Sequence, residues 1–198
     1  MREFVVVGHT TPTSDFSLDD LPGAGRVDVL CRCVNSAFVL SHSVREDVRL
    51  HLVLRGEEEA TVRFEGDELR YLNPDERSTA ALIREALDER EEVVGHQEVE
   101  STPGVHVSKK GFEEVVEETS RRGEVIELHE NGEPLVDAET PEHGVFVLSD
   151  DEDFTDEERG VLEEVADASR SVGLEVLHAD HSMTVVHNWL DTEGFERY

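Results

Sequence analysis

Cysteine is almost missing from this 198-residue chain: Cys31 and Cys33 are the only two, one residue apart. On a helix, side chains so spaced point about 200° apart, which excludes a bridge between them. No Cys-x-x-Cys occurs, and no Gly-x-Ser-x-Gly. Gly23-Ala24-Gly25 lacks a third glycine, so no dinucleotide or phosphate-loop fingerprint is present. Lysine is as scarce, with only Lys109 and Lys110. No apolar run nears the roughly 20 residues that a bilayer-spanning helix needs, which excludes such a helix. Met1-Arg2-Glu3-Phe4 leads straight into an apolar segment with no leader pattern, so a cytoplasmic, reducing location is expected.

Acid is what the chain has in excess. Forty-eight Asp and Glu stand against 18 Lys and Arg, for a net charge of -30. The acids are spread along the chain, as at Glu57-Glu58-Glu59, Glu113-Glu114 and Asp150 to Asp153. That spread reads as solvated surface suited to a salty cytosol, where molar salt shortens the Debye length to about 3 Å. It does not read as one cation-binding blade.

The apolar residues fall in periodic clusters of strand and helix alternation, which defines an α/β domain spanning residues 1–198. Strands are expected at Phe4–Val7, Val48–Leu54, Val105–Val107, Val125–Leu128, Val145–Leu148 and Leu174–Leu177, with a hairpin about Gly66-Asp67 joining Val62–Phe64 to Glu68–Leu72. Helices are expected over about Arg26–Ser41, Arg77–Arg90, Phe112–Arg121, from the Thr155 capping box through Ala168, and about Ser182–Leu190. Three short apolar strands, Val125–Leu128, Val145–Leu148 and Leu174–Leu177, each end in a polar turn. Ligands in open parallel sheets bind outside the carboxyl ends of strands, so these junctions predict one small-molecule pocket.

His178, His181 and His187, with Asp180, invite a zinc reading, but the short strand-to-helix segment favours ordinary hydrogen-bonded histidines, so no metal is expected. Ser182 reads as a helix N-cap rather than a nucleophile, because no base and orienting group accompany it.

The stretch Gly25 to His42 resembles the N-terminal signature of the archaeal tRNA pseudouridine-54 N1-methyltransferases. The tail His178 to Asp191 is similar to that family's last motif, and Asn73–Arg77, Ser101–Val105 and Leu128–Glu133 also match. The resemblance covers nearly the whole chain. It implies the SPOUT class, a mostly parallel α/β sheet with a deep C-terminal trefoil knot over about residues 124–191. It implies a homodimer, and S-adenosylmethionine held by Leu128, Ser149, Ser171, Val172, Gly173, Leu174, Glu175, Val176 and Ser182. The chain departs from the family pattern at Ser149-Asp150-Asp151, where Gly-Asp-His is usual, and at Ser182, where Cys is frequent.

The activity so implied is methyl transfer to N1 of a pseudouridine in the tRNA T-loop. Such a reaction needs positioning, removal of one proton and stabilisation of charge on the ring carbonyls. Arg26 and Arg32 suit the last task, and Asp28 suits orienting them or taking the proton. Lys109, Lys110 and Arg45 are the candidate RNA contacts; neither DNA nor a membrane is an expected partner. The alternative is a non-catalytic RNA-binding module that keeps the same fold.

Overall fold

The computed structural model describes residues 1–56 and 58–198. Its centre is β1 (Arg2–Gly8), whose Phe4 to Val7 are fully buried. Strands hydrogen-bonded on both edges and covered on both faces must be apolar at consecutive positions, and β1 is. On one side it pairs in parallel with β2 (Val48–Leu54), followed by antiparallel β3 (Ala60–Glu65), β5 (Val105–Ser108) and β4 (Val99–Thr102). On the other side lie parallel β7 (Gly144–Ser149), β6 (Glu124–Pro134) and β8 (Ala168–Ser171). The eight strands run in the order β4-β5-β3-β2-β1-β7-β6-β8.

Helices cover both faces. α1 (Val27–Phe38), α2 (Glu76–Asp88) and α5 (Ala179–Asp191) enclose a core with Phe4, Leu52, Phe146 and Trp189. α3 (Phe112–Ser120) and α4 (Asp156–Val165) enclose a smaller one with Val5, Val7, Val145 and Val147. The alternate residues of β1 thus serve opposite layers, as the two-residue period of a strand requires. Both cysteine thiols are free and buried on α1. No described helix is long and apolar enough to cross a membrane.

Four expectations need correction. Leu174–Leu177 is not a strand: Leu174 is wholly exposed and Val176 is 72% exposed. The strand in that region is the polar Ala168–Ser171, so the preceding helix stops at Val165 and Ala168 does not belong to it. The hairpin about Gly66-Asp67 does not form either. β3 pairs instead with β2 and β5, and Glu68–Leu72 carries no strand. The capping box at Thr155 is present, with Glu158 N–H donating to Thr155 Oγ1 at 3.3 Å and Thr155 N–H donating to the Glu158 carboxylate at 2.8 Å. Ser182 is not an N-cap. His178 occupies that place, and the Ser182 N–H donates to the His178 carbonyl at 2.9 Å inside the first turn.

Candidate active site

The carboxyl ends of β6, β7 and β8 open into a cleft of about 240 Å³. β6 and β8 diverge there in an unusual way. Arg170 of β8 pairs with both Leu128 and Glu133 of β6, so the intervening residues bulge out as a loop at the mouth. Gly132 lies so close to β8 in this bulge that a Cβ would stand 2.5 Å from the Arg170 backbone nitrogen.

Of the residues implied to hold a cofactor, Leu128, Ser149, Ser171, Val172, Gly173, Glu175, Val176 and Ser182 all line this cleft. Leu174 does not, because its side chain is in solvent. Ser149 has no positive φ, so serine at this position carries no backbone strain. Leu148, Ala179 and Leu177 add apolar wall, and Glu130, Glu152 and Glu175 make the rim acidic.

The three candidate catalytic residues form one cluster at the start of α1. Asp28 accepts from Arg26 Nε at 3.0 Å through one oxygen and from Arg32 at 2.8 Å through the other. Arg26 also reaches Asp151, a residue of the cleft wall. Gly25 and Arg26 both have left-handed backbone, with φ of 67° and 59°. A Cβ at Gly25 would stand 2.0 Å from the Thr10 carbonyl oxygen, so only glycine fits. An arginine in this region stores backbone strain. Burial works to raise the Asp28 carboxyl, but the hydrogen bonds from Arg26 and Arg32 outweigh it and hold it below the usual carboxylate range.

The candidate RNA contacts are elsewhere. Lys109 Nζ donates to the Val93 carbonyl at 2.9 Å, and Lys110 is paired with Glu118 at 2.5 Å. Both lie just past β5, which β3, β2 and β1 separate from β7, or roughly 19 Å at the usual strand spacing. Arg45 is paired with Asp191 at 2.6 Å, in a groove between α1 and α5. His178 and His181 have ring centroids 6.2 Å apart, and His187 is buried against Phe4, so these histidines do not converge.

Sequence reasoning gave no place in this site to His9 or Asp180, which lie beside it. His9, just past β1, is clamped between Asp150 and Glu158 at 2.8 and 2.9 Å, and the bonds to Asp150 and Glu158 push its pKa up to about 10. Asp180, in the first turn of α5, is buried with Oδ1 unpartnered, and its other oxygen is 3.9 Å from Arg32 Nε. His9 sits in no motif, and Asp180, though within the His178–Asp191 tail, has its arginine partner brought near only by the fold.

A sheet with a cleft at the carboxyl ends of its parallel strands, joined through Asp151 to an arginine–carboxylate cluster, is the α/β arrangement in which small ligands bind. The comparisons make that class specific. The fold matches that of Archaeoglobus fulgidus Nep1, solved bound to S-adenosylhomocysteine, with a TM-score of 0.65 over 96% of this chain and 97% of that one at 15% identity. Residues 1–195 match the SAM-dependent RNA methyltransferase family, and the chain belongs to that family. It is 62% identical to the tRNA (pseudouridine(54)-N(1))-methyltransferase of Haloferax volcanii and 60% identical to that of Haloarcula marismortui, each over the full length of both chains. The enzyme of the same name from Halobacterium salinarum is 52% identical, again end to end.

Proposed function

We propose that this protein methylates N1 of pseudouridine 54 in the tRNA T-loop, with S-adenosylmethionine as donor. One structural observation carries the reading. Arg26 touches both Asp28 and the cleft-wall residue Asp151, so the cluster suited to the base adjoins the cleft suited to the cofactor. Full-length identity to enzymes of that name supports it.

The cleft residues fit the donor. Leu128, Leu148, Val172 and Val176 offer apolar walls for a flat base, and the acidic rim suits a cation. Leu128, Ser149, Ser171, Val172, Gly173, Glu175, Val176 and Ser182 would hold it. When bound, S-adenosylmethionine supplies a methyl group already activated on a sulfonium. Arg26 and Arg32 would stabilise negative charge spreading onto the pseudouridine carbonyls as N1 gives its proton to solvent water and takes the methyl, the sulfonium keeping the electron pair of the broken S–C bond as a thioether. Both Asp28 oxygens are engaged and its pKa is depressed, so it orients the two guanidiniums rather than taking the proton.

Lys109, Lys110 and Arg45 would meet RNA only by exchanging their present partners for phosphate. We further assign to this protein the trefoil knot through β6, β8 and α5, a homodimer through the α1–α5 groove where Leu40 is 40% exposed, cytoplasmic location and adaptation to salt. The acidic composition and halophilic relatives support the last of these.

Methyl transfer to T-loop RNAs carrying pseudouridine or uridine at the target position tests the reading. Modification of the pseudouridine RNA alone is expected. Equal modification of both, or of neither when the cofactor binds, would overturn it.

A further inference from the structure

We propose that His9 is a positioning residue for the cofactor cleft, cross-linking the carboxyl end of β1 to Asp150 and Glu158 and so setting the wall formed by the β7–α4 loop. The inference rests on the S-adenosylmethionine reading above.

The bonding pattern defines the charge state. His9 Nδ1 is 2.8 Å from one Asp150 oxygen and Nε2 is 2.9 Å from a Glu158 oxygen. Ionised carboxylates only accept, so both ring nitrogens donate and the ring is an imidazolium. The His9 backbone N–H adds a third bond, to the other Asp150 oxygen at 2.9 Å. The side chains are 8% exposed for His9, 1% for Asp150 and none for Glu158. Charge-assisted bonds shielded from water are the strong ones.

The network ties together four elements. Glu158, in the first turn of α4, takes Arg55 from the end of β2 at 2.7 Å through its second oxygen. Asp150 also accepts the Glu152 N–H at 3.0 Å, which shapes the turn after β7. His9 is thus the one cation that bridges Asp150 and Glu158, since Arg55 reaches Glu158 but also serves Glu59 at 2.9 Å and Glu157 at 3.2 Å.

This matters for the cleft because Asp150 to Asp153 form one of its walls. His9 does not line the cleft; it acts through Asp150. Without the imidazolium, two desolvated carboxylates face each other with only Arg55 between the strand ends. The cheapest relief is outward movement of the loop, which takes Asp151 and its bond to Arg26 along. An exposed ion pair far from any ligand would shift stability alone. A pin beneath the cleft wall shifts ligand affinity as well.

His9→Gln tests this, because glutamine can donate to one carboxylate but not bridge two as a cation. The probe is S-adenosylhomocysteine, titrated calorimetrically into the full chain at molar salt, with thermal melting and kinetics alongside. The expected result is a Kd raised about tenfold to a hundredfold, in line with the sensitivity of sites to ångström-scale misplacement. KM for the methyl donor should rise in step, with kcat at saturation falling less. Wild-type affinity for S-adenosylhomocysteine in His9→Gln, even with a lowered melting temperature, would make the network merely structural and overturn the proposal. If that variant does not fold, Glu158→Gln takes its place; it loosens the outer tie only, and unchanged affinity there overturns the proposal equally. Failure of the unmodified protein to bind S-adenosylhomocysteine would instead defeat the cofactor reading itself, and this inference with it.

Discussion

Removing Arg32 should destabilise the protein more than an exposed arginine would, and should slow methyl transfer while sparing cofactor binding. Its guanidinium lies 2.8 Å from Asp28, 3.6 Å from Glu76 and 3.9 Å from Asp180. The Asp28 and Asp180 side chains are each 8% exposed, while Arg32 is 32% exposed. A solvated pair contributes at most about 1 kcal/mol, and breaking a fully buried one costs about 3–5 kcal/mol. Asp28 keeps Arg26, but Asp180 loses its arginine with Oδ1 already unpartnered, and water can reach the gap from the Arg32 side. The expected loss for Arg32→Ala is therefore about 2–3 kcal/mol, between those limits. For a chain of this size that lowers Tm by about 4–12 °C. If Arg32 steadies charge on the base, single-turnover methyl transfer falls about 10²-fold, with the S-adenosylhomocysteine Kd unchanged. Arg32→Lys should recover most of the stability and little of the rate, because an ammonium lacks the planar fork. A Tm shift below about 2 °C, which corresponds to less than a solvated pair, would refute the energetic reasoning. A normal single-turnover rate would remove Arg32 from the site.

Two further predictions rest on other parts of the molecule. Burial, then Arg45 and Arg2, lower the pKa of His187 to about 3, so the unfolded chain takes up this proton near pH 6.5 and the folded one does not. Stability is thus full above about pH 6.5 and falls as pH drops toward 3, by up to about 1.4 kcal/mol per pH unit. Melting curves of His187→Gln should be flatter than wild type between pH 6.5 and 4.5, and an identical slope would contradict the assignment. Gly132→Ala should force β6 from β8, because the added Cβ would sit 2.5–2.7 Å from Arg170 backbone atoms. A loss of about 1–3 kcal/mol is expected, as for overpacking elsewhere, with weaker S-adenosylhomocysteine binding by calorimetry. Unchanged stability and affinity would show that the bulge yields freely.

Where the chain announced its fold, it did so through buried apolar runs. Phe4–Val7 and Val145–Leu148 read as central strands because burial on both faces removes any polar alternation, and Val125–Leu128 carries the signal despite its half-buried Glu127. Leu174-Glu175-Val176-Leu177 carries the same local signal and misleads. Its Val176 and Leu177 rim the cleft and Leu174 stands in solvent, while the strand that forms is Ala168-Ser169-Arg170-Ser171, an edge segment with no apolar run to betray it. At the site, Asp28 and Arg32 were legible as an i, i+4 pair on one helix. Arg26's bond to Asp151 spans 125 residues, and His9's bond to Asp150 spans 141. Periodicity cannot see contacts of that range, so the cluster was visible and its attachment to the cleft was not. Lys109 and Lys110 stood out by rarity and adjacency, which say nothing of the Val93 carbonyl that takes Lys109 or of Glu98 and Glu118 folded around Lys110.

The position of β1 has a consequence for how the protein is made. As the chain is synthesised, the β2 neighbour of this strand follows it within about fifty residues. Its other neighbour, β7, begins only at Gly144. At translation rates of about 5–20 residues per second, the β7-facing edge of this largely apolar strand waits roughly 7–28 s for its mate. Over that interval Phe4 to Val7 offer unsatisfied amides and carbonyls to any passing chain. The abundant acids that follow β1 and β2, including Glu58, Glu59 and Glu89 to Glu92, emerge during the wait. They keep nascent chains apart by mutual repulsion, weakly in strong salt and at short range. The acidic surface therefore acts before there is a folded surface to carry it.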